Sequence, residues 1–133
     1  NNTEVAPNII SYAIAIDAHA RGGLAQEAEA LLRETIDSPQ LEPIVLSFNS
    51  VVQAWAFQPS PEDAPGRCRQ LVAEMIELAS STASKNLVPN KSTFNTVLRA
   101  YKRQGRADEG KEALKKMAQD APQYAELIEK VLS

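Results

Sequence analysis

The chain has 133 residues, 44% of them hydrophobic, and a formal net charge of −3. This length suits one domain with a buried core, and the lack of 18 consecutive apolar residues predicts no membrane-spanning helix. The single cysteine, Cys68, excludes an internal disulfide and a cysteine-based metal cluster. A reducing, intracellular setting is the simpler expectation.

Charge is divided unevenly along the chain. Residues 1–66 hold two basic and nine acidic side chains, giving −7, whereas residues 67–133 hold twelve basic and eight acidic ones, giving +4. The basic residues are densest from Lys91 to Lys116. If a nucleic acid binds, we expect the second half to supply the attraction.

The first half of the chain predicts three helices. Apolar side chains spaced three or four residues apart indicate helices at Ile9–Arg21, Leu24–Asp37 and about 45–57. Asn8 is a good N-cap for the first, and Gly22-Gly23 ends it. Two prolines between residues 38 and 43 separate the second helix from the third.

The second half predicts four more helices. One follows Ser60-Pro61, an N-cap with proline at the first helical position, and continues to about Leu78. The small polar residues 80–86 predict a linker. A fifth helix begins after Asn90 and ends at Gln104, a sixth covers 107–119, and Asp120 is expected to cap a last helix, 121–132.

Three stretches repeat one pattern of residues. Tyr12, Phe48 and Phe94 take equivalent positions, and so do the small residues Ala28, Cys68 and Gly110. The spacing from aromatic to small residue is 16, 20 and 16, so the middle repeat has four extra residues between its helices, and six more follow its second helix. Without them the unit is about 36 residues, a period typical of helical repeats. We predict an all-α solenoid of three helix pairs, about 9–44, 45–90 and 91–123, forming one domain over 1–133 with a capping helix at 121–132.

Two repeat families have helix pairs of this length. The Trp-x-x-Leu-Gly-x-x-Tyr start of tetratricopeptide repeats is absent. Pro-Asn, a hydroxyl residue, Tyr/Phe-Asn, a glycine-ended first helix and an Ala-x-x-Leu-x-x-Met second helix form another pattern, clearest from Val88 to Arg106. It resembles the pentatricopeptide repeat (PPR), and the resemblance covers nearly the whole chain. It implies a right-handed superhelix that binds single-stranded RNA, about one base per repeat.

The resemblance also implies which residues select bases. In the family, the residue after the aromatic and the residue after the closing proline act as a pair. The first repeat offers Ala13 and Ile44, which lack hydrogen-bonding side chains. The second offers Asn49 and Asn90, a pair that by resemblance prefers pyrimidine, cytosine ahead of uracil. The third offers Asn95, whose nominal partner is Gln123 in a divergent segment.

Further RNA contacts follow from the same resemblance. The second residue of each first helix would wedge an apolar side chain against the bases; Ile10 and Leu46 fit this role and Ser92 departs from it. Family members often have a basic residue near the end of the first helix, facing phosphate. Arg21 and Arg103 match it, Phe57 does not, and Arg99, Lys102 and Lys91 could add positive charge.

Structural explanations remain open for the same residues. Asn90 is a helix N-cap on any interpretation, and the basic residues 99–106 could be a solvated helix face. His19 shares a packing column with Trp55 and Tyr101, and Cys68 fits a buried, inert thiol. No phosphate-binding loop, metal-ligand spacing or activated nucleophile is visible, so we expect no enzyme activity, metal or cofactor.

Two functions stay open from the sequence. The first is a single-stranded RNA-binding module, expected to be a monomeric piece of a longer PPR array acting in mitochondria or chloroplasts, where the family mostly works. The second is a protein-protein interaction scaffold of the same fold, which the acidic first half, the Ala13/Ile44 pair and the inserted residues favour.

Overall fold

The chain folds into α-helices joined by short connections. A computed structural model describes residues 8–58, 63–82 and 85–133, without the side chain of Lys85. Over these ranges it forms α1 (Ile9–Arg21), α2 (Ala25–Asp37), α3 (Val45–Ala56), α4 (Ala64–Thr82), α5 (Lys91–Arg103), α6 (Ala107–Asp120) and α7 (Ala125–Leu132). Two 3₁₀ turns, Lys85–Leu87 and Pro122–Tyr124, precede α5 and α7. None of the helices in these ranges has the length and apolar character needed to cross a bilayer.

The helices pack as three successive pairs. α1 packs on α2, α3 on α4 and α5 on α6, and α3 also lies between α1 and α5. The first helices α1, α3 and α5 therefore form one layer, and α2, α4 and α6 lie on its other side. α7 packs on α5 and α6 at the end of the array. This arrangement is the predicted α-solenoid.

The core follows the repeat register found in the sequence. Phe48 and Phe94 are fully buried at equivalent positions, and burial of such a side chain contributes about 1.5–3 kcal/mol. Tyr12 is only partly buried, and its hydroxyl donates to Glu34 at 2.9 Å. Gly110 lies where α5 and α6 approach closely, since a Cβ there would come 2.8 Å from the Cβ of Tyr101. Other fully buried large side chains are Ile16, Leu32, Leu71, Met75, Leu114 and Ile128.

Several helix ends match their sequence signals. The side chain of Asn8 accepts the backbone N–H of Ser11 at 2.9 Å and caps α1. Gly23 and Gly105 have φ of 79° and 71°, a left-handed conformation that glycine adopts without the strain a Cβ introduces. Both glycines therefore reverse the chain between the helices of a pair, at the positions predicted.

The inserted residues of the middle repeat take two different forms. Seven residues, 57–63, separate α3 from α4, whereas three residues separate α1 from α2 and α5 from α6. After that, the extra residues mainly lengthen a helix, because α4 has 19 residues and α2 has 13. The prediction of a linker from Ser80 was therefore wrong at its start. The hydroxyls of Ser81 and Thr82 donate to the carbonyl of Leu78, so these polar side chains have hydrogen-bond acceptors within the helix.

Two predicted helix starts also differ from the structure. Ser60 and Pro61 lie outside the described residues, and α4 begins at Ala64, where Asp63 Oδ1 accepts the N–H of Gly66 at 3.1 Å. That hydrogen bond is the main cause of a lowered pKa at Asp63. Asp120 is not the N-cap of the last helix. It ends α6, because Pro122 starts a 3₁₀ turn before α7.

Candidate nucleic-acid interface

Two asparagines from neighbouring first helices meet at the start of α5. Asn49 donates from Nδ2 to Oδ1 of Asn90 at 3.3 Å. Thr93, fully buried, donates from Oγ1 to Oδ1 of Asn49 at 2.7 Å. The Asn90 side chain accepts the Thr93 N–H at 3.1 Å while Thr93 Oγ1 accepts the Asn90 N–H at 3.1 Å, a reciprocal capping box. Thr93 thereby fixes both amides.

The corresponding place between α1 and α3 lacks these polar groups. Ile44 is the N-cap of α3 and makes no side-chain hydrogen bond, and Ala13 replaces the other amide. Ser47, the counterpart of Thr93, is 1% exposed, and its Oγ has no hydrogen-bond partner in the described part of the chain. An unsatisfied buried polar group costs about 1–3 kcal/mol. The boundary between α1 and α3 therefore has the buried hydroxyl of this network without the two amides that it would bond.

The third predicted pair is not joined in the same way. Asn95 and Gln123 are both exposed, and no hydrogen bond links their side chains within the described ranges. Gln123 lies in the 3₁₀ turn that places Tyr124 against Phe94, with ring centroids 5.7 Å apart and planes at 50°. This aromatic contact fixes the turn in place of a hydrogen bond between the two amides.

The wedge positions are exposed on the first helices. Ile10 is 60% exposed and Leu46 59% exposed, and Ser92 is also exposed. Ile14, which no sequence motif singled out, is 66% exposed one turn beyond Ile10. Its register counterparts in α3 and α5 are buried polar residues, Ser50 and Thr96. The exposed apolar residues therefore concentrate at the α1 end of the layer.

The basic residues of this layer fall into two groups. Arg21 pairs with Asp17 through a 2.8 Å contact on α1, so its charge is compensated locally. On α5, the guanidinium carbons of Arg99 and Arg103 lie 5.3 and 4.7 Å from the ring centroid of Phe57. Lys102 and Lys91 are exposed beside them. The sequence showed Phe57 only as a departure from the basic pattern, because the two arginines in cation-π contact with it lie more than 40 residues further along the chain.

Acidic partners neutralise several arginines in and around the second helices. Glu29, only 7% exposed, accepts from Trp55 Nε1 at 2.9 Å and from Arg67 Nε at 3.0 Å. Arg33 contacts Glu29 at 3.3 Å and also pairs with Glu74. Another cluster joins Arg106 to Asp63 at 3.1 Å and to Glu109 at 2.9 Å. Arg99 and Arg103 differ from these arginines, because neither forms an ion pair within the residues described.

The side chains with catalytic potential contact backbone carbonyl groups of the protein itself. Cys68 donates to the carbonyl of Val52 at 3.3 Å, and burial raises the pKa of its thiol to about 12. His19 Nδ1 lies 2.7 Å from the carbonyl oxygen of Ala15, one turn earlier in α1. Among the residues described, no three His, Cys, Asp or Glu side chains are grouped as metal ligands.

Comparison with protein families identifies the repeats. The family model for the PPR repeat matches residues 10–38 and 92–120, which correspond to the helix pairs α1–α2 and α5–α6. The chain contains two pentatricopeptide repeats. PPR proteins generally bind RNA and are non-catalytic. A search of curated proteins finds no significant match to this chain.

The central helix pair of the chain lies between the two matched repeats and follows their register. Phe48 in α3 is buried like Phe94 in α5, and Cys68 in α4 is buried like Gly110 in α6. The Asn49–Asn90 contact therefore lies at the boundary between the central pair and a matched PPR repeat.

Proposed function

We propose that this protein binds single-stranded RNA along the layer formed by α1, α3 and α5, with Asn49 and Asn90 recognising a base. The observation that carries the proposal is their 3.3 Å side-chain contact, fixed by buried Thr93. A preorganised amide pair loses little side-chain entropy when a base binds, which favours affinity. No catalytic step, metal or cofactor is part of this function.

The free hydrogens of the pair favour cytosine over uracil. Asn90 Nδ2 and the second hydrogen of Asn49 Nδ2 have no acceptor among the described side chains and backbone. Cytosine presents adjacent N3 and O2 acceptors, whereas uracil has an N3–H donor between its carbonyl oxygens. Because the available protein groups are N–H donors, they match the adjacent acceptors of cytosine better than the two acceptors of uracil, which its N3–H separates.

The remaining predicted site residues take supporting roles in this proposal. Ile10 and Leu46 would contact base faces, while Ser92 and Asn95 extend the polar surface on α5. Arg99, Lys102 and Arg103 would face phosphates, and Arg21 would contribute less because Asp17 compensates its charge. Binding is expected to be weak and salt-dependent, because one complete amide pair and a few cations make few contacts. The 133 residues would act as one monomeric helical-repeat domain.

A longer array with an organellar role extends the proposal. Ile14 on α1 is 66% exposed. Ser50 on α3 and Thr96 on α5 take the same register position, and each is buried by the first helix of the preceding repeat. A further helix pair packed on α1 would cover that face as α1 covers α3. Detecting the native protein with an antibody tests this: a band near 14.5 kDa contradicts the longer array. Imaging the tagged protein tests mitochondrial or chloroplast location, in line with the family.

A binding titration tests RNA recognition. Fluorescence anisotropy at low salt should give affinity in the order C-rich, U-rich, then A-rich single-stranded RNA. Asn49→Ala, with Asn95→Ala as a second change, should weaken binding and reduce the preference for cytosine. Gln119→Ala, an exposed change on α6, is the matched control and should have no effect. No binding at roughly millimolar protein (a free energy weaker than about 4 kcal/mol), or an unchanged double variant, would refute the proposal.

A protein-interaction scaffold is the second candidate. The observation in its favour is the exposure of three large apolar side chains: Ile10, Ile14 and Leu46 are 60, 66 and 59% exposed. Such residues on one face are typical of protein contact sites. Pull-down from an organelle extract after nuclease treatment separates the two functions. Partners that survive nuclease and are lost with Ile14→Glu support the scaffold, and partners that disappear with nuclease contradict it.

A further inference from the structure

An exposed aromatic ring occupies the position where the other two repeats have arginine. Phe57 follows the last residue of α3 and is 38% exposed. Its register counterparts at the ends of α1 and α5 are Arg21 and Arg103. The middle repeat therefore has no cation of its own at this position.

The ring of Phe57 brings together two cations from the next repeat. The guanidinium carbons of Arg103 and Arg99 lie 4.7 and 5.3 Å from its centroid. Arginines one helical turn apart repel each other, and the negative face of an aromatic ring offsets part of that repulsion. The result is a pair of positive groups held at one point of the surface.

This pair keeps its charge available to a ligand. Arg21 and Arg106 contact carboxylates, but neither Arg99 nor Arg103 forms an ion pair within the described part of the chain. At the register position of Arg99, α3 has the neutral Gln53 and α1 has Asp17, whose carboxylate is paired with Arg21. Two guanidinium groups without an acidic partner form a strong site for an oxyanion, because each can donate two parallel hydrogen bonds.

We propose that Phe57 is a positioning residue that assembles Arg99 and Arg103 into one binding site for an RNA phosphodiester at the boundary of the second and third repeats. The proposal rests on the RNA-binding function given above. In it, the third repeat supplies the phosphate contact that the second repeat lacks. The chemical class of the ligand is the phosphodiester of a single strand, and the contact is independent of base identity.

The location suits a strand whose base lies on the amide pair. Asn90 and Arg103 are thirteen residues apart at the two ends of α5, which separates the amide end from the arginine end by about 20 Å along the helix axis. Base and backbone groups therefore contact different parts of the same helix. Leu46 and Ile10 lie at the amide end, so they do not take part in this site.

Salt-dependent titration of a C-rich single strand tests the site. Arg99→Gln with Arg103→Gln should weaken binding and flatten the dependence of log K on log salt by about 0.7 for each lost phosphate contact. Phe57→Leu should weaken binding several-fold with the same base preference, and Phe57→Tyr should retain the wild-type affinity because its ring remains. In the Phe57→Leu background, each arginine substitution should cost less than in the wild type.

The possible outcomes distinguish the proposed phosphate site from the RNA-binding function on which it rests. If the wild type binds and Asn49→Ala weakens binding while Phe57→Leu and both arginine variants bind normally, the phosphate site is wrong and RNA binding stands. If Phe57→Leu weakens binding but leaves the cost of each arginine substitution unchanged, the positioning role is wrong. If the wild type binds no RNA, both proposals fail. Circular dichroism of each variant verifies folding, and the arginine variants with their salt dependence still test the phosphate site if the leucine variant unfolds.

Discussion

The side-chain amide of Asn49 lies 3.3 Å from that of Asn90, across the boundary between α3 and α5. The same Asn90 side chain caps α5 by accepting the N–H of Thr93. One residue thus stabilises a helix start, joins two repeats and presents donors for a base. Stability and RNA affinity should therefore change together when this contact is altered.

Replacing the two asparagine caps should have unequal effects. Asn90→Ala removes a capping box and the bond to Asn49, so we expect the free energy of unfolding to fall by about 1–2 kcal/mol. Asn8→Ala removes one hydrogen bond from Ser11 at the start of α1 and should cost about 0.5–1 kcal/mol. Urea unfolding followed by circular dichroism measures both. Equal losses would show that the bond between the repeats contributes nothing.

Restoring the missing amides should create a second recognition pair. Ala13→Asn with Ile44→Asn places side-chain amides beside buried Ser47, whose hydroxyl lacks a partner in the described structure. The new pair should bind a second base and raise affinity for C-rich RNA several-fold, at about 0.8 kcal/mol for each fourfold gain. Anisotropy titration measures it, with Ala13→Val plus Ile44→Asn as the matched control. An affinity equal to that of the control would contradict the prediction.

The sequence predicted the repeats well because each has strong local signals. Glycines at 23 and 105 need a left-handed backbone, Asn90 has a hydroxyl residue three positions on, and the aromatic and small residues recur in one register. These signals depend on neighbours a few residues apart. The limits of α1, α2, α3, α5 and α6 followed from them within one residue, whereas the pairing of Asn49 with Asn90 came from the resemblance to the PPR.

Contacts between residues far apart in the chain could not be predicted from the sequence. Residues 80–82 are small and polar, which favours a linker locally, but Ala79 packs in the core and extends α4. Phe57 appeared as an exception to a basic pattern, because its cation-π contacts are with arginines more than 40 residues away. The contacts of Glu29 with Trp55 and Arg67 also cross three helices, and no periodicity marks them.

Glu29 should be essential to the packing of α2 against α3 and α4. Its carboxylate, with a side chain 9% exposed, faces Trp55 Nε1 and the guanidinium of Arg67. Glu29→Ala leaves a buried donor and a half-buried cation unpaired, which should destabilise the fold by about 2–3 kcal/mol, less than for a fully buried pair because Arg67 remains partly hydrated.

Thermal and urea unfolding measure the loss, and an exposed neighbour supplies the control. Glu27→Ala changes the same charge on the same helix at an exposed site, so its effect should stay within about 0.5 kcal/mol. Trp55 fluorescence should also change in the Glu29 variant, since its indole N–H loses an acceptor. Similar stability in the two variants would refute a structural role for Glu29.

Cys68 should resist alkylation in the native protein over a wide pH range. Burial raises the pKa of its thiol to about 12, and the reactive species is the thiolate. At pH 8 only about one thiol in 10,000 is ionised at that pKa, so iodoacetamide should label native protein far more slowly than protein unfolded in urea, as mass spectrometry will show.

The same shift sets the direction of a pH effect on stability. The folded pKa is above the ordinary thiol value of about 9, so between pH 9 and 12 the unfolded chain loses a proton that the folded chain keeps. Stability contributed by the neutral thiol is therefore complete below pH 9 and decreases as pH rises towards 12. Cys68→Ala, compared by urea unfolding at pH 7 and 10, should lose less stability on that pH change than the wild type. An equal loss in both proteins, or rapid native labelling at pH 8, would show that the thiol is accessible to water.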